Sequence, residues 1–169
     1  MLPLLHVTGL VGAGKTTTIR CLFPEVKAFD IADIYRAHGI TPPDFRDPEK
    51  YKTFERILTI AFEEYRQTAE KTAQPFMIVE SSGVNPLLNR LIDPYSPVTL
   101  WIVPDPSRIN DPTLLTARPH AEKFNAMIWA QYNDGLFVPD ITYNPISREI
   151  MGTLPPWLEP WFPKSVKKN

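Results

Sequence analysis

Eight residues near the start of the chain, Gly9-Leu10-Val11-Gly12-Ala13-Gly14-Lys15-Thr16, restrict its fold more than any other feature. They satisfy the pattern G-x-x-x-x-G-K-[ST] at every fixed position. Glycines let the backbone wrap closely around an anion with its N–H groups pointing inward. The apolar run Leu4-Leu5-His6-Val7-Thr8 precedes the loop, and a helical pattern from Lys15 to Leu22, stopped by Pro24, follows it. A strand, a glycine loop and a helix in that order turn the positive helix end toward bound phosphate. Lys15 then offers a point charge to the β- and γ-phosphates, and the Thr16 hydroxyl offers a ligand for Mg²⁺. Gly9, Gly12, Ala13, Gly14, Lys15, Thr16 and Thr17 are therefore the expected contacts of a nucleoside triphosphate.

The rest of the pattern suits that beginning. Residues 26–31, 76–80, 98–103 and 141–143 read as further strands, each a short apolar or β-rich run. Asp47-Pro48 opens a helix with an N-cap acid and a proline in the first turn. Tyr51, Phe54, Leu58, Ala61 and Tyr65 then step by three and four along one face, and Gln74-Pro75 ends the element. Residues 121–132 read as another helix. Continuous apolar strands alternating with helices predict a P-loop NTPase three-layer α/β sandwich around a roughly five-stranded parallel sheet. The 169 residues suit one domain, residues 1–154, with a lid near 105–120 and a Pro/Trp-rich tail at 155–169.

Composition narrows the class. A net charge of -1 does not favour a general nucleic-acid binder. The single cysteine, Cys21, cannot close an internal disulfide, and it is expected as a small core residue of the first helix. The N-terminus lacks a basic segment and a cleavage site, and no apolar run approaches the roughly 20 residues that span a bilayer. The expectation is a soluble, cytoplasmic protein. The 19 prolines cluster at 42–48, 94–106 and 139–163, marking connections. His6, His38 and His120 lack metal-ligand spacing.

Three acids stand where phosphoryl transfer needs them. Glu80 ends the strand at 76–80, beside the expected P-loop strand, where a carboxylate can hold Mg²⁺ together with Thr16. Ser81, Ser82 and Asn85 follow at the same sheet edge, where open α/β sheets bind ligands. Asp30 and Asp33 follow the second strand, and both qualify by position to orient an acceptor hydroxyl and take its proton.

Asp33-Ile34-Tyr35-Arg36 resembles the motif of polynucleotide 5′-hydroxyl kinases and zeta-toxin-like kinases: an acid, two residues, then a basic residue, after a P-loop. The resemblance implies Asp33 as catalytic base and Arg36 as a substrate contact, with Asp30 beside them. Ala32 stands where that group carries an arginine or a second acid. The group usually closes an arginine-bearing segment over the phosphates, which makes Arg108 and Arg118 the candidates here, Arg118 foremost. Arginine suits the task because its charge persists while negative charge redistributes.

The sequence thus predicts an ATP- and Mg²⁺-dependent kinase acting on a hydroxyl of a nucleoside, nucleotide or nucleic acid. Its layout is also similar to that of phage kinases that phosphorylate 5-hydroxymethyluracil in DNA, which would make DNA the partner. Arg36, Arg46, Arg56, Lys164, Lys167 and Lys168 could then meet phosphates. The alternative is a GTPase or metallochaperone-type NTPase, whose E-x-x-G switch Glu80-Ser81-Ser82-Gly83 resembles. Against it, no N-K-x-D guanine-reading motif occurs, and Thr142-Tyr143-Asn144-Pro145 does not match one.

Overall fold

The computed structural model describes residues 1–41, 46–83 and 85–163. Lys164, Lys167 and Lys168 lie outside the described residues. The sheet is built outward from β1 (Leu4–Gly9), all six residues of which are buried. β3 (Met77–Glu80) and β4 (Val98–Ile102) flank it in parallel, with Val7 opposite both Glu80 and Leu100. β2 (Ala28–Asp30) pairs in parallel with β3, and β5 (Ile141–Tyr143) with β4. The order is β2-β3-β1-β4-β5-β6.

The five strands β1 to β5 run parallel as expected, and β6 (Ile150–Gly152) adds an antiparallel edge beside β5. Three residues with an exposed Met151 give no alternating signal. Gly152 has φ +100°, and a Cβ there would overlap the Asp140 carbonyl, so a glycine stands where a strand pattern would ask for a side chain.

Helices cover both faces. Leu5, Val7, Ile78 and Leu100 pack with Ile19 and Phe23 around α1 (Lys15–Leu22). The alternate residues Leu4, Met77 and Val79 pack with Phe54, Leu58 and Phe62 of α3 (Pro48–Lys71) and Leu88 of α4 (Pro86–Ile92). Trp101 stacks on Tyr132 of α7 (Ala121–Asn133), ring centroids 5.0 Å apart. Between β2 and α3 lies α2 (Ile31–Ala37); between β4 and α7 lie two short helices, α5 (Pro106–Ile109) and α6 (Pro112–Ala117). No described helix is long and apolar enough to cross a membrane.

The prolines mark helix entries as much as loops. Asp47, Asn85, Asp105 and Asp111 each precede a proline and accept hydrogen bonds from backbone N–H groups of the first turn of α3, α4, α5 and α6. Proline at that position surrenders an N–H that a helix start leaves unpaired in any case.

The C-terminal stretch packs on the core. Trp157 and Trp161 lie 5.2 and 5.4 Å from Phe76, and Leu158 and Phe162 are buried in the same cluster as β1. Cys21 departs from expectation: it is exposed, because α1 buries Lys15, Thr18 and Ile19, and position 21 lies off that stripe.

Tyr65 of α3 ties the helix to the sheet. Its hydroxyl accepts from the Ile78 N–H at 2.8 Å and lies 2.8 Å from the Lys27 carbonyl and 3.0 Å from that of Ile78. Burial pushes its pKa up to about 12, so it stays a neutral donor. Tyr65→Phe leaves the buried Ile78 N–H without this acceptor. The expected cost is about 1–3 kcal/mol, read as a lower urea midpoint with an unchanged slope.

Candidate functional site

β1 delivers the chain to the phosphate loop at the carboxyl edge of the sheet, and α1 starts at Lys15 directly after it. Gly12 and Gly14 have φ of +84° and +85°, the left-handed region that other residues adopt only with strain. Inside the turn, the Ala13 N–H donates to the Leu10 carbonyl at 3.2 Å. Ala13, expected as a phosphate contact, therefore spends its N–H on the loop itself. Gly9 ends β1, with the Ile102 carbonyl 3.1 Å from where a Cβ would stand.

Lys15 is buried, and its ammonium donates to the Leu10 carbonyl at 2.8 Å and to Ser82 Oγ at 2.9 Å. Burial pushes it down to about 8; Glu80 and Asp30 pull it up, and Arg118 adds to the lowering. Beside it, Thr16 Oγ1 donates to Glu80 Oε1 at 2.8 Å. That spacing is close to the roughly 3 Å between neighbouring ligands of an octahedral Mg²⁺. Both donors are hard oxygens, so the pair fits that ion. Burial holds the Glu80 carboxyl above the usual range, against the Thr16 hydrogen bond.

Asp30 lies opposite Glu80 in the β2–β3 register and caps α2 by accepting from the Ala32 N–H at 2.8 Å. Burial raises its pKa as well, opposed by that hydrogen bond. Asp33 projects from the first turn of α2, exposed, and pairs with Arg36. Its charge acts on both Asp30 and Glu80, which sets it at the edge of the same acidic group.

The other expected contacts divide. Ser82 meets Lys15. Asn85 accepts from the Leu88 N–H to cap α4 and donates to the Tyr35 hydroxyl at 2.7 Å, joining α4 to α2. Ser81 is not at the cleft: it is buried, 2.7 Å from His6 Nε2, because consecutive strand-end residues point to opposite faces and Glu80 takes the cleft side. Burial pushes His6 down to about 4, so its ring is neutral. Of the E-x-x-G pattern, Glu80 lies in the cleft while its glycine is turned to packing. Gly83, with φ +66°, packs against Ile128 of α7, and Asn144 accepts from Ile146 and Ser147 N–H groups in the turn before β6.

A cleft of about 490 Å³ opens over the loop, lined by Gly12, Gly14, Lys15, Thr16, Thr17 and Glu80 from below. From the other side come Arg108, Asp111, Leu114 and Arg118 of the α5–α6 segment. Both candidate lid arginines therefore face the phosphate loop. Three residues here carry no sequence signal of a site: Asp111, which caps α6; Leu114, which lies so close to Gly12 that a Cβ there would overlap it; and Asn125 of α7, hydrogen-bonded to Val11. Among the described residues no cluster of three or more His, Cys, Asp or Glu forms a metal site.

No family model matches the chain, and no curated protein was found to match it. Solved structures do. The fold is similar to that of a shikimate kinase. That enzyme, from Bacteroides thetaiotaomicron, aligns at 15% identity over 85% of this chain and 87% of its own, with a TM-score of 0.50. The protein TT1252 from Thermus thermophilus aligns at 16% identity over 85% and 88%, also at 0.50. At these identities the likeness is one of fold.

Lys15 makes this site unfavourable to itself when no anion is bound. Its folded pKa lies below the 10.5 of the unfolded chain. The unfolded state thus holds that proton more tightly, and stability rises as pH passes from about 8 to 10.5. Lys15→Met is expected to stabilise the protein at pH 7, with the advantage shrinking over that window in paired urea melts.

Proposed function

We propose that this chain is a kinase that moves the γ-phosphate of ATP to a hydroxyl of a small acceptor. One observation carries the reading: Lys15 and the Thr16–Glu80 pair share one cleft with Arg108 and Arg118 from a separate segment, and Asp30 stands opposite Glu80 at the strand level from which α2 carries Asp33. The fold shared with a named shikimate kinase supports a small-molecule acceptor over a polymer.

The chemistry follows from the groups. The N–H groups at the start of α1 and the Lys15 ammonium hold β- and γ-phosphate oxygens. Thr16 and Glu80 would hold Mg²⁺, which supplies positive charge to those oxygens. An acceptor hydroxyl beside α2 is oriented by Asp33, which takes its proton as the new O–P bond forms and the bond to the bridging oxygen breaks. Arg36 sits at the acceptor side. Arg108 and Arg118 stabilise the charge that spreads over the transferring group. Asp30, fixed by the Ala32 N–H, holds the start of α2 beside Glu80.

Incubation with γ-labelled ATP and a panel of small hydroxy acids, sugars, nucleosides and nucleotides tests this reading. Plain and hydroxymethyluracil-containing DNA form separate arms. Label transfer to a small acceptor is expected. Asp33→Asn should lower kcat at least about a hundredfold with ATP affinity kept, and Glu80→Gln should raise the Mg²⁺ requirement. Loss in Asp30→Asn with full activity in Asp33→Asn would move the base to Asp30. Transfer to hydroxymethyluracil DNA alone would restore the polymer acceptor. Selective GTP binding with slow hydrolysis and no labelled acceptor would overturn the kinase reading.

A further inference from the structure

The phosphate loop is held from outside by a residue that its sequence pattern does not contain. Asn125 lies in the second turn of α7, buried, 114 positions beyond Val11. Its Oδ1 accepts from the Val11 N–H at 2.7 Å, and its Nδ2 donates to the Val11 carbonyl at 3.1 Å. Both polar backbone groups of one loop residue are thus taken by one side chain. Val11 is the position where the turn most needs a hold. Before it, the Leu10 carbonyl is fixed from inside by Lys15 and by the Ala13 N–H. After it, Gly12 and Gly14 sit in the left-handed region with the freedom that glycine brings. A Val11 peptide free to rotate would carry the neighbouring N–H groups with it.

We infer that Asn125 is a positioning residue of the phosphate loop: it contacts no phosphate and presets the loop so that binding an anion requires little further ordering. The inference rests on the nucleotide reading above. The chemistry of the position is specific. A carboxamide presents a donor and an acceptor in one plane, matching the N–H and carbonyl of a single residue. A carboxylate would set an acceptor against the Val11 carbonyl in a buried place, and an alkyl side chain would leave both backbone groups unpaired. The clamp is also joined to the lid. The Ala121 N–H, at the start of α7, donates to the Arg118 carbonyl at 2.9 Å, so the end of the arginine segment and the clamp belong to one connected stretch.

The test compares wild type, Asn125→Ala and Asn125→Asp by calorimetric titration with Mg-ATP and by amide hydrogen exchange of the loop without nucleotide. Asn125→Ala is expected to weaken ATP binding about tenfold or more and to speed exchange at Val11. In the kinase assay KM for ATP should rise with kcat at saturation largely kept. Asn125→Asp adds a signature that simple loss of packing lacks. Burial raises the pKa of the introduced carboxyl, and its protonated form regains a donor. The affinity ratio of variant to wild type should therefore narrow as pH falls from 8 to 5. An ATP affinity within twofold of wild type in Asn125→Ala, with exchange at Val11 unchanged, overturns the inference alone. So does a pH-independent ratio in Asn125→Asp, the variant that carries the test should Asn125→Ala not fold. A wild-type protein that binds no nucleoside triphosphate overturns the reading of the preceding subsection together with this one.

Discussion

The register between β1 and β3, with Val7 opposite Glu80, is the constraint on which the candidate site depends. It ends β3 two residues before β1 ends at Gly9, on the same carboxyl edge of the sheet, so the acid at the end of β3 stands beside the loop that β1 feeds. Thr16 and Glu80, 64 positions apart, are joined at 2.8 Å across that edge. A slip of one residue would turn Glu80 to the other face and bring Ser81 to the cleft, since neighbouring strand residues alternate. The same register fixes what the site costs the fold. Lys15 and Glu80 are both shifted toward neutrality by burial, the ammonium down and the carboxyl up. Each therefore stands in an environment that disfavours its own charge despite the hydrogen bonds it makes.

Around that centre, rigidity is distributed through local chemistry. Among the described residues four helices begin on an Asp or Asn followed by proline, and two of them, α5 and α6, line the cleft. Each cap fixes where its helix starts and the direction in which it leaves the sheet edge. In Asn85 the same side chain also reaches Tyr35, so the cap of α4 steadies the helix that carries Asp33.

How much of this was legible follows from how local each signal is. The phosphate loop, the strands around it and Glu80 were readable because a short stretch of sequence dictates each. The motif Asp33–Arg36 was readable as a pattern, but its surroundings were not: which acid caps α2 depends on backbone angles at Asp30. Ser81 stands at the expected sheet edge but is buried on the face away from Glu80, by an alternation that is itself a sequence rule. Cys21 is exposed because the buried stripe of α1 runs through Lys15, Thr18 and Ile19. β6 is too short and too exposed to announce itself. Asn125 has no local signal at all, since its meaning lies in a hydrogen bond to a loop on the far side of the chain.

The α5–α6 segment differs in kind from the rest of the site. Neither helix has a buried residue, whereas β1 has no exposed one. Elements with few buried apolar groups are those that open at low free-energy cost. Yet this segment brings Arg108 toward Gly14 and lays Leu114 on Gly12. The fold thus sets a stiff floor, clamped by Asn125 and Lys15, beneath a lightly held cover. On the proposed reading this division places the phosphate-holding groups on the sheet edge and the two arginines on the segment with the least buried surface. The contact of Leu114 with Gly12 further implies that a larger residue at position 12 would be felt twice, through its own backbone strain and through the cover it pushes away.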